Sequence, residues 1–98
     1  MPPIHPGEIL REIYLNPIGI NITQLAKNIG VTRNTVSQLV KGHLGIKAEM
    51  AIRLGKSFDT TPELWLNLQR NYDLWVASSN VNLNKIRSLR TDLNLKIS

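Results

Sequence analysis

Apolar residues recur at helical spacing along most of this chain, and the recurrence breaks at short glycine-, proline- or polar-rich joints. Between residues 6 and 16, Ile9, Leu10, Ile13 and Tyr14 form one stripe. Pro6 suits a first helical position because it has no N–H to leave orphaned, and Glu8 favours the helix dipole. Pro17 and Gly19 end this helix near Asn16. Asn21 with Gln24 has the spacing of a capping box, Leu25, Ala26 and Ile29 point inward, and Gly30 is a left-handed stop. Thr32 caps a third helix that Gly42 ends, with Val36, Leu39 and Val40 as its apolar face. A loop over 43–46 leads to a fourth helix over about 47–58, carried by Ala51, Leu54 and Phe58. Thr61, Pro62 and Glu63 open a long fifth helix to about residue 77, with Trp65, Leu68, Tyr72, Trp75 and Val76 in one stripe.

Ser78, Ser79 and Asn80 break that helix. Beyond them Ile86, Leu89 and Leu93 keep helical spacing, whereas Leu93, Leu95 and Ile97 alternate as in a strand. The segment reads as a short helix with an undefined end. The predicted fold is therefore all-α: a compact five-helix domain over residues 1–79 and a basic amphipathic extension over 80–98.

The third helix is two-faced. Opposite its apolar residues stand Arg33, Asn34, Ser37, Gln38 and Lys41, collected on one side by their spacing. A short helix presenting Arg, Asn and Gln fits a DNA major groove. Arginine can pair with guanine O6 and N7, asparagine or glutamine with adenine N6 and N7, each such pair discriminating by roughly 1–3 kcal/mol. Thr35 and Ser37 are expected at phosphate or a thymine methyl, and Lys41 and His43 at phosphate. The capping Thr32 is expected among the DNA-contacting residues with them.

Composition narrows the field. Ninety-eight residues make one small domain, and the absence of cysteine excludes disulfides and thiolate metal sites. The start, MPPIHPGEIL, lacks the basic and apolar regions of a signal peptide, and no run is long enough to span a membrane, so a cytoplasmic protein is expected. Net charge is +5, much of it in residues 80–98, which carry four basic groups and one acidic. His5 and His43 are the only histidines, and no HExxH, GxSxG or phosphate loop occurs, so neither catalysis, metal nor cofactor is expected.

The segments HPGEIL, LAKNIGVTRNTVSQLVKG, GIKAEMAIRLGKSF and TPELWLNLQRNYDLW, in that order over residues 3–77, resemble HigA-type antitoxins of bacterial toxin–antitoxin modules. That family uses the lambda-repressor-like, phage-repressor class of helix-turn-helix. The resemblance implies a homodimer on double-stranded operator DNA that also neutralises a RelE-like toxin, an mRNA-cleaving enzyme. Many phage-type repressors carry a glutamine where this chain has Ile22, so phosphate contact would fall to Thr23, Lys41, His43 or backbone N–H groups. Relatives often cap the fourth helix with serine, where this chain has Lys47. Trp65 is expected inside the domain, and Tyr72, Trp75 and Val76 towards a dimer or toxin interface. Ile86, Leu89 and Leu93 either pack back on the domain or pair with another chain. Two other readings stay open: a protein-interaction module that binds a toxin without reading DNA, and a stand-alone transcriptional regulator.

Overall fold

The computed structural model describes residues 2–92; Leu93, the last member of the tail stripe, lies outside them together with Leu95 and Ile97. Among the described residues, five helices precede the C-terminal extension. α1 covers residues 6–18, α2 Ile22–Ile29, α3 Arg33–Val40, α4 Ala48–Phe58 and α5 Pro62–Ser78. α1 packs on α3 and α5, α2 on α3 and α4, and α4 along α5. Among the described residues there is no strand, and no helix is long and apolar enough to cross a membrane.

The punctuation residues act through the expected geometry. Asn21 accepts from the Gln24 amide while the Gln24 side chain accepts from the Asn21 amide, a complete capping box. Gly30 is left-handed at the end of α2. Thr32 and Thr61 cap α3 and α5. Lys47 stands at the start of α4 without a side-chain cap.

α1 departs from its predicted form. It does not stop at Asn16 but runs through Pro17 to Ile18, with Gly19 left-handed beyond. Its middle, Leu10–Leu15, is a π-helix. An α-helical turn would drive the Pro17 ring into the carbonyl four residues back, and the wider i→i+5 register opens the turn ahead of it. The same register places Leu10 and Leu15 on one face, and both are buried. Ile13, expected in the stripe, is 61% exposed instead.

The core collects Leu10, Leu15, Leu25, Ala26, Ile29, Val36, Leu39, Val40, Ile46, Ala51, Leu54 and Trp65. Trp65 is fully buried, as expected, with Tyr14 and Phe58 tilted against it. Its indole N–H is not stranded, because it donates to Thr60 Oγ1 at 2.8 Å.

The tail is not one helix. A 3-10 turn at Leu83–Lys85 and a single α-turn at Leu89–Asp92 are separated by extended backbone at Ile86. Ile86 and Leu89 therefore share no helical stripe. Every residue from Asp73 to Arg90 is exposed, so the end of α5 and this extension stand away from the core. The radius of gyration of 18.0 Å records this, against about 13 Å for a compact domain of similar length.

Candidate nucleic-acid interface

α3 is braced from behind by Val36, Leu39 and Val40, all buried in the cluster that holds Leu25 and Ala26 of α2. Its height is set by the first helix. At Gly7 the α1 backbone lies so close to the end of α3 that an added Cβ would fall on the Leu39 carbonyl oxygen. His5 fixes that crossing: its Nδ1 accepts from the Gly7 amide at 2.9 Å and its ring meets Tyr72 edge-on. Burial lowers the His5 pKa from 6.5, opposed by the Asp73 charge.

The outward face of α3 consists of Asn34, Thr35, Gln38 and Lys41, with Thr35 and Gln38 half-buried. Among the described residues the side chains of Asn34 and Lys41 carry no hydrogen bond, which leaves their polar atoms to a ligand. Thr32 Oγ1 accepts from the Thr35 amide at 3.1 Å and lies 2.8 Å from Thr35 Oγ1, so these two hydroxyls satisfy each other.

Two expected members of the face are placed differently. Ser37 is only 9% exposed. It lies four residues from Arg33 and three from Val40, on the flank that turns towards the core, and is not part of the outward set. Arg33 is exposed but leans sideways, its Nε donating to Thr23 Oγ1 in the first turn of α2 at 3.1 Å. Arg33 and Thr23 share a shallow hollow with Arg11 and Asn21. That hollow sits beside Ile22, where the sequence lacks a glutamine.

The turn after α3 is a Schellman motif. Gly42 is left-handed at φ 78°, its amide donates to Leu39 O at 3.0 Å, and the His43 amide donates to Gln38 O at 2.9 Å. His43 is thereby folded back over Gln38, and its Nδ1 lies 3.1 Å from Gln38 Oε1.

Three supporting residues were not singled out from sequence. Gln69 accepts from the Ile46 amide at 2.8 Å and donates to Asp73 at 2.9 Å, which fixes the loop between α3 and α4. Its position one turn after Trp65, on the buried side, was the available signal. Arg53 donates to the Ile29 carbonyl and to Glu49, closing the end of α2. Thr60 holds the Trp65 indole. Of the expected interface residues, Tyr72 is half-buried against His5 within its own domain. Trp75 is 46% exposed, and Val76, Ile86 and Leu89 are exposed with it.

The helix-turn-helix family pattern matches residues 10–65. An HTH-type transcriptional regulator of Haemophilus influenzae is 49% identical over 78 residues, covering 80% of this chain and 73% of its own. Antitoxin HigA-1 of Vibrio cholerae is 45% identical over 73 residues, covering 74% of this chain and 69% of its own. The structure of Pseudomonas aeruginosa antitoxin HigA with higBA promoter, 42% identical, superimposes with a TM-score of 0.82 over 89% of this chain and 98% of that one. A match over more than half the sequence, with relatives this similar, shows that the chain belongs to the helix-turn-helix family and that HigA-type antitoxins are among its relatives.

Proposed function

We propose that this protein is a sequence-specific DNA-binding antitoxin that occupies its own operator as a homodimer, represses its operon and neutralises a RelE-like mRNA-cleaving toxin. The observation that carries the DNA-binding part is the outward face of α3, exposed at Asn34 and Lys41 and half-buried at Thr35 and Gln38, held on a buried apolar back. One short helix reads about half a site, so a dimer would set two of them roughly 34 Å apart on a near-palindromic duplex. Arg33, Thr23, Lys41 and His43 are the expected phosphate contacts, and those contacts make affinity fall with salt. The solved HigA relative is paired with its promoter, which supports carrying the operator to this chain. The name antitoxin, carried by the Vibrio cholerae relative, supports a toxin partner.

Gel-shift titration against the DNA upstream of the gene, at two salt concentrations, tests the regulatory part. Selective binding that weakens steeply with salt is expected, and equal binding to scrambled DNA overturns it. Co-expression with the product of the neighbouring reading frame tests the antitoxin part. Growth arrest by that product alone, relieved when this chain is present, is expected; arrest that persists overturns it.

A further inference from the structure

The contact between Gln38 and His43 has a chemical consequence for which base is read. A glutamine reads adenine with both ends of its amide: Oε1 accepts from N6 and Nε2 donates to N7. In this structure Gln38 Oε1 faces His43 Nδ1 at 3.1 Å. A carbonyl oxygen only accepts, so this contact is a hydrogen bond in the tautomer that carries its proton on Nδ1. The pairing is not a chance approach of two loose side chains. The left-handed Gly42 turns the chain back, and the His43 amide is bonded to the carbonyl of the same Gln38 at 2.9 Å, so backbone and ring address one residue. With its oxygen turned to His43, Gln38 keeps an NH2 that makes no hydrogen bond within the protein and is left for a ligand. Its two donors match the N7 and O6 acceptors of guanine, whereas the adenine N6 amino group would have to share the oxygen that His43 already occupies.

We infer that His43 is a positioning residue for base recognition, turning the Gln38 amide so that it selects guanine over adenine. This rests on the proposal that α3 reads operator DNA. It assigns His43 a part in specificity, distinct from the phosphate contact expected from sequence.

The test uses the full chain and a set of operator duplexes in which each half-site base pair is replaced in turn. Gln38→Ala identifies the position that Gln38 reads, as the one where preference disappears. There the wild-type protein is expected to favour guanine over adenine by about tenfold. His43→Ala should abolish or reverse that preference while leaving the preferences at other positions in place. His43→Asn should retain it, because the asparagine amide can donate from the place of Nδ1. An adenine preference in the wild type, or a His43→Ala profile identical to it, overturns the inference. Nitrogen-15 NMR of the free protein reads the contact without DNA: the neutral ring should hold its proton on Nδ1, and a proton on Nε2 overturns the inference. A wild type indifferent to every replacement, with Nδ1 protonated, overturns the reading of operator DNA and the inference with it; the Nδ1 signal distinguishes that failure from loss of the contact.

Discussion

Arg33 and Gln38 are polar residues of the same short helix, yet their neighbours hold them differently. Arg33 is drawn by Thr23 towards the start of α2, away from the centre of the outward face. Its replacement by alanine is expected to weaken binding to all sequences alike and to lower the salt slope by about one, as measured by titration on operator and scrambled duplexes. Gln38→Ala should instead relax preference at one position. His5 is a third case. Its folded pKa lies below 6.5, so between the two values the unfolded chain binds more protons. Stability from His5 is complete above pH 6.5 and is lost as pH falls through the lower, folded value. Protonated Nδ1 can no longer accept from Gly7, which gives the loss a structural cause. Thermal denaturation across that window should show a decline that is flatter in His5→Asn, whose side-chain oxygen keeps the cap. At this scale the sequence named the chemistry of Arg33 and Gln38 from residue type, but not where their side chains lean. Leaning depends on Thr23 and His43, which reach them only once the chain has folded.

Elements were legible wherever a residue type has one geometric use. Asn21, Gly30, Thr32, Gly42, Thr61 and Pro62 marked helix ends because capping and left-handed turns admit few side chains. The π-turn in α1 was not legible, since an i→i+5 register is rare and apolar spacing is read against the common helix. It moved Leu15 inward and Ile13 outward. Nor could Gly7 be recognised as the crossing point of α1 on α3, because nothing local requires a glycine there. Gly7→Ala is expected to cost about 3 kcal/mol in denaturant unfolding, since the obstacle is the Leu39 backbone and not a side chain that can rotate aside. Gln69→Leu should cost about 1–3 kcal/mol by leaving the Ile46 amide without its acceptor.

For the whole molecule, the amphipathic pattern predicted a domain over residues 1–79, but not what the rest does. From Asp73 to Arg90 the chain is exposed and carries Leu74, Trp75, Val76, Val81, Leu83, Ile86 and Leu89 outward. A stripe of such residues predicts burial without saying against which molecule. If this surface, expected from sequence at a dimer or toxin interface, is the dimer contact, it makes a specific demand. Trp75→Glu should convert the protein to monomers in analytical ultracentrifugation and reduce operator affinity, with helical circular dichroism unchanged. Retained dimers would move the contact elsewhere.

The approach of Gly7 to Leu39 separates two properties that helix-turn-helix evolution can alter. A junction of main chain on main chain has almost no tolerance, so the pose of α3 is inherited with the first helix. The outward side chains at 34, 38 and 41 take no part in that junction and are free to drift. Under the proposed function, substitutions on that surface would change operator preference without altering the angle of approach to DNA.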